Sequence, residues 1–277
     1  MGAGTVAQIE PAPALYGDGE GYDAYMGHWS AALAPVFLDF ADAGDRAGEA
    51  LPGPVLDVGC GTGNLLAALR ARQPAARLVG LDPSAPLLAR ARARPALRSV
   101  ELTQGSADHL PFGDGGFTAC LSLLVLQEFR GRPEPLREMW RVTAPGGTVA
   151  ACQWDFARMP VIAALVEALV AIGAGAHLAI RGLEHFNDEQ ELAAAWSTAG
   201  MHEVSAARIA VARRYGNFDE LWASLLGGST PSTLTLAGLD GARRDAVREM
   251  MRTRFAMGTA GSGFTLTAEA IAVRGRA

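Results

Sequence analysis

The sequence predicts a doubly wound α/β domain, a mostly parallel sheet with helices on both faces, and three observations predict it. From residue 54 onward, short apolar runs alternate with stretches of helical periodicity, the pattern of strands joined by crossover helices. The first run feeds into a glycine-rich turn, Gly59-Cys60-Gly61-Thr62-Gly63. An acid, Asp82, closes the next run about 25 residues on. At 277 residues the chain is long enough for one such domain with an insertion, and it can bury a core without disulfides or a structural metal.

In order along the chain, the predicted strands are Val55 to Val58, Arg77 to Leu81, Val100 to Thr103, Phe117 to Ser122 and Thr148 to Trp154, each closed by Gly, Pro, Asp or Ser. Between them, Asn64 to Arg72 sets Leu65, Leu66 and Leu69 on one helical face, and Ser84 is an N-cap for a helix running to Arg94. Pro133 opens a helix that ends near Val142, and Ala144-Pro145-Gly146-Gly147 turns the chain into the fifth strand. Beyond Trp154 come helices over Pro160 to Ala174 and Asp188 to Ala199, with Gly200 as a C-cap. Two late strands, Glu203 to Val211 and Phe264 to Val273, flank a helical insertion of the lid kind at about Phe218 to Met257.

Composition narrows the function classes. The net charge is −5 and no basic block appears, which argues against a nucleic-acid or membrane partner and for a small, roughly neutral substrate. The sequence contains no lysine, so Schiff-base and lysine general-base chemistry are excluded. Cys60, Cys120 and Cys152 each sit in or beside an apolar run, which suits reduced, buried thiols better than a disulfide or metal framework. No leading apolar stretch follows basic residues, and Val161 to Ile172 is too short to span a bilayer, so a cytoplasmic protein is expected.

The glycine turn is the central motif. Without Cβ atoms it can take positive φ and lie against a ligand, while the next helix presents free N–H groups. The dinucleotide fingerprint wants its third glycine three places after the second, where this chain has Asn64, so NAD is disfavoured. Asp82 is placed to accept from two ribose hydroxyls; its alternative reading is a turn residue before Pro83.

Together with Tyr22-Asp23-Ala24-Tyr25-Met26-Gly27-His28-Trp29-Ser30, Gly105 to Phe117 and Arg141 to Gly147, these motifs resemble the class I S-adenosylmethionine (SAM)-dependent methyltransferases, in particular the bacterial small-molecule group known as methyltransferase type 11. The resemblance implies a Rossmann-like, seven-stranded sheet with its last strand antiparallel. It divides the chain into a flexible N-terminus (1–20) and one domain (21–277), made of a cap (21–50), a cofactor-binding half (51–155) and a substrate-side half (156–277). It further implies that Asp57, Gly59 and Gly61 hold the methionine part of SAM, Asp82 the ribose, Ser106 and Ala107 the adenine, and that Ser122 and Leu123 lie beside the cofactor. Ser106 stands where the family usually has Asp, and Asp108 is a possible substitute. Tyr25 and Trp29 are expected in a cap over the sulfonium, where aromatics attract a cation.

Methyl transfer to an O, N or C atom needs alignment and exclusion of water, and a base only for some acceptors. His28 and His185 are the histidines expected nearest the chemistry. Trp154, Asp155 and Trp222 are expected to face the acceptor, since ligands bind beyond the carboxyl ends of the strands. S-adenosylhomocysteine (SAH) would be the product, and the working unit a monomer or homodimer. Two other readings share these motifs: an enzyme that catalyses a cyclisation or decarboxylation on the same fold, and a SAM-sensing binding module.

Overall fold

The computed structural model describes residues 19–42, 53–129, 132–179, 188–255 and 263–277. Most of the expected flexible N-terminus, His185 and Met257 lie outside the described residues. The strands are β1 (Val55–Val58), β2 (Leu78–Asp82), β3 (Glu101–Gln104), β4 (Phe117–Leu123), β5 (Thr143–Trp154), β6 (His202–Tyr215) and β7 (Phe264–Arg276). They form one seven-stranded sheet in the order β3-β2-β1-β4-β5-β7-β6, in which only β7 runs antiparallel to its neighbours.

The chain enters through α1 (Gly19–Tyr22), a π-helical turn (Asp23–Gly27) and α2 (His28–Ala41). The helices that follow are α3 (Asn64–Arg72), α4 (Ala85–Arg92), α5 (Glu134–Val142), α6 (Pro160–Ala171), α7 (Ala176–Ala179), α8 (Glu189–Thr198), α9 (Phe218–Leu226), α10 (Pro231–Ala237) and α11 (Gly241–Phe255). Several starts are written in the sequence. Ser84 accepts from the Leu87 N–H, Asp188 from that of Glu191 and Asn217 from that of Glu220, each satisfying an amide the helix cannot.

The central strands are buried on both faces, so their alternation sorts side chains into two cores. Val55, Leu78, Ala150 and Cys152 pack with α2, α3, α6 and the insertion helices. Leu56, Val79, Val149 and Ala151 pack with α5 and α8, where the Trp196 indole N–H donates to the Val149 carbonyl at 3.1 Å. The three cysteines are free, buried thiols.

Two boundaries differ from the sequence reading by four residues or more. β5 begins at Thr143 instead of Thr148, because Ala144 to Gly147 form an irregularity inside the strand, with Gly146 at φ +77° and its N–H donating to the Ala277 carbonyl. β6 continues past Val211 to Tyr215, pairing there with β7 as far as Phe264. As an edge strand with a face open to solvent it needs no apolar run, so its polar tail read as loop. The last β5 pairing is Trp154 with Ala270, so the β6–β7 ribbon overhangs the sheet by roughly 20 Å at about 3.3 Å per residue. Among the described residues, no helix is long and apolar enough to cross a membrane.

Candidate cofactor and acceptor site

The glycine turn follows β1 at the carboxyl edge of the sheet. Gly59 and Cys60 donate to the Leu81 carbonyl at 2.7 and 3.0 Å, which ties the turn to β2. Gly59, Gly61 and Gly63 all have positive φ, but for different reasons. A Cβ on Gly59 would meet Val125 at 2.6 Å, and one on Gly63 would collide with Leu97. A Cβ on Gly61 would meet nothing within 4 Å. Packing requires the outer two glycines, whereas Gly61 opens onto free space.

Two carboxylates stand at that opening. Asp57 is buried, and neither of its oxygens has a hydrogen-bond partner. Burial, and then the charge of Asp82, push its carboxyl well above the usual carboxylate range. Such a group is costly unless something pairs with it. Asp82 is better served, because its oxygens accept from the Gly61 and Ser84 amides, each at 2.8 Å. Burial raises its carboxyl all the same, against the lowering effect of those two amides. Asp82 is therefore both the acid after β2 and the brace of the glycine turn. Asp82→Ala is expected to lower the melting temperature and SAM affinity together, by about 1–3 kcal/mol each, as thermal melts and titration of one sample would show.

A cavity beside these groups is lined by Tyr22, Ser30, Asp57, Gly59, Cys60, Gly61, Thr62, Asn64, Leu65 and Leu123. Tyr22, Ser30, Thr62 and Asn64 were not singled out from the sequence. The last two lie inside the glycine turn and at its helix start, and the first two in the N-terminal motif. A polar latch fixes that motif over the turn. Asp23 accepts from the Thr62 hydroxyl at 2.7 Å and pairs with Arg90, and the Asn64 amide donates to Gly27 and Ser30. Burial pushes the Tyr22 hydroxyl up to about 12.

Tyr25 and Trp29, one helical turn apart, are completely buried on the inner side of this cap, and Trp29 meets Trp154 edge-on at 6.3 Å. His28 is exposed and faces an outer groove with Asp23, Arg90 and Arg94. The helix turns its side chain away from Tyr25 and Trp29 there. Asp155 is engaged by protein groups. It follows the last residue of β5, caps the turn at Ala157 and pairs with Arg208 and Arg158. Trp222 is buried and stacked on Phe218 within α9.

At the far end, Gly105 donates to the Asp82 carbonyl, which brings Ser106 and Ala107 alongside the turn. The Ser106 hydroxyl donates to Asp108 Oδ2, an oxygen that also pairs with Arg132, while Asp108 Oδ1 is buried without a partner. Ser122 gives its hydroxyl to the Val58 carbonyl, leaving backbone as its means of touching a ligand, and Leu123 lines the cavity.

A family model described as a methyltransferase domain matches residues 56–151, which contain the turn, both acids and β4. The demethylmenaquinone methyltransferase of Thermus thermophilus is 38% identical over 112 residues, 40% of this chain and 51% of that protein. The chain spans about half the length of the curated relatives it matches. Among solved structures, the phosphoethanolamine N-methyltransferase 2 of Haemonchus contortus, in complex with SAM, superposes with a TM-score of 0.54 at 12% identity, over 97% of this chain and 61% of that one. The (4+2)-cyclase SpnF superposes at 0.52 with 18% identity, over 87% and 80%. At those identities the likeness establishes the fold. The matched domain thus carries the glycine turn and both acids, and the sheet around it has the fold of the superposed methyltransferases.

Proposed function

We propose that this protein is an enzyme that transfers the methyl group of SAM to an O, N or C atom of a small, partly apolar metabolite, releasing SAH. The observation that carries the reading is Asp57, a buried carboxylate with two unpartnered oxygens beside the open face of Gly61. Its counterpart is the ammonium of an amino acid, which the methionine part of SAM provides. When bound, SAM supplies a methyl carbon already activated by the neighbouring sulfonium. The chain supplies the rest. Asp82 keeps lone pairs for the ribose hydroxyls, Ser106, Ala107 and the free Asp108 oxygen border the adenine end, and Leu123 closes one side. Tyr25, Trp29, Trp154 and Trp222 wall off water with apolar, polarisable faces suited to a passing cation.

The acceptor is a small molecule, with no nucleic acid or membrane as partner, and the working unit is a cytoplasmic monomer or homodimer. The absence of any basic block supports this reading. The test is incubation of the purified chain with methyl-labelled SAM and a fractionated metabolite extract. Label in a small-molecule fraction, with SAH formed in equal amount, is expected. SAM binding with no label transferred to any fraction would overturn the proposal.

A further inference from the structure

The overhanging end of the β6–β7 ribbon carries Arg213 and Tyr215, two residues apart on an extended strand and so on one face. The Arg213 guanidinium lies over the Tyr215 ring, 4.4 Å from its centroid. Tyr25 on the cap is close enough to feel the charges of both. The Tyr215 hydroxyl in turn lies near the Trp29 indole N–H, and Trp29 contacts Trp154. Tyr25, Trp29, Trp154 and Tyr215, far apart in sequence, thus meet in one buried cluster.

The polar atoms of that cluster share one property. The Tyr25 and Tyr215 hydroxyls, the Trp29 and Trp154 indole nitrogens and Arg213 Nη1 are all buried without a hydrogen bond of normal geometry. The four aromatic side chains are more than nine-tenths buried. Every one of these groups can donate, and none is a carboxylate. The charge of Glu220 reaches Tyr215, and one of its oxygens is engaged by the Gly216 amide at 2.6 Å. Among the described residues Arg213 has no ion-pair partner. Folded proteins rarely leave so many buried donors unanswered, and an unanswered set marks a place where a ligand answers them.

We propose that Arg213, Tyr215 and Tyr25 form the acceptor's anchoring subsite, and that it takes the carboxylate of a small molecule whose flat apolar body lies against Trp29 and Trp154. The proposal rests on the methyltransferase reading and sharpens it. Net charge suggested a neutral substrate, but a half-buried guanidinium with one nitrogen fully enclosed outweighs a surface average. Arg213 is a binding and specificity residue here, holding the end of the acceptor that does not react.

The probe is benzoate, titrated into the full-length protein with and without saturating SAH and followed by tryptophan fluorescence, with benzamide as the uncharged isostere. Benzoate is expected to bind at least tenfold more tightly than benzamide. Arg213→Met should erase that preference, and Tyr215→Phe and Tyr25→Phe should each weaken benzoate at least fivefold. Arg213→Met and Tyr215→Phe, neither of which touches the cofactor cavity, should keep their SAH affinity within twofold. All three variants should also melt at or above the wild-type temperature, since each removes a buried donor that the ligand-free fold leaves unpaired, an outcome a purely structural role would not give. Equal binding of benzoate and benzamide, or benzoate binding unmoved by Arg213→Met and Tyr215→Phe, would overturn the subsite. Failure of SAH itself to bind would overturn the methyltransferase reading, and the benzoate preference measured in its absence would still decide the subsite.

Discussion

Gly61→Val is expected to weaken SAM binding by more than a hundredfold, a loss above about 2.7 kcal/mol, while the protein still unfolds cooperatively. Gly61 is the glycine of the turn whose missing side chain leaves open space in front of it, so added carbons occupy room the ligand needs. Its φ of +53° adds backbone strain of about 1–2 kcal/mol for a residue with a Cβ. Gly61→Ala separates the two effects, since a single methyl there touches no protein atom. The informative contrast is Gly59→Ala, which must displace Val125 and should lose stability first. Calorimetric titration beside thermal melts reads both quantities. Unchanged affinity in Gly61→Val would mean that the cofactor lies elsewhere.

Asp57→Asn should move affinity and stability in opposite directions. The variant is expected to bind SAM roughly tenfold to a hundredfold more weakly, because an amide offers the ligand's ammonium a neutral partner in place of an ionised one. Ligand-free, it should be the more stable protein at neutral pH. The sign follows from the raised carboxyl. A carboxylate whose folded pKa lies above its unfolded value of about 3.9 makes the native state hold its proton longer, so stability is lost as pH rises above about 4. The advantage of the asparagine variant should therefore be small near pH 4 and grow toward pH 7. A melting temperature that falls on substitution at pH 7 would show that Asp57 is internally paired.

Much of this site is legible in the sequence, for reasons that differ from residue to residue. Buried parallel strands need continuous apolar runs, so β1, β2 and β4 show themselves, and only a glycine turn can follow β1 with three positive φ angles. Tyr25 and Trp29 share a face because helical residues four apart must. Where single side chains point is less legible. Trp154 ends β5 whereas Asp155 caps the turn that follows it, and His28 precedes Trp29 by one place, about 100° around the helix. Arg213 and Tyr215 escaped because an edge strand continues on hydrogen bonds to β7 without an apolar pattern to announce it. The Asp23 latch depends on contacts across 39 residues of chain, which no local pattern encodes.

The most direct test of the central claim is calorimetric titration of the purified chain with SAM and, separately, with SAH. The site described here predicts one-to-one binding of both in the micromolar range, lost in Gly61→Val. No heat from either ligand, with the protein shown to be folded, would contradict it.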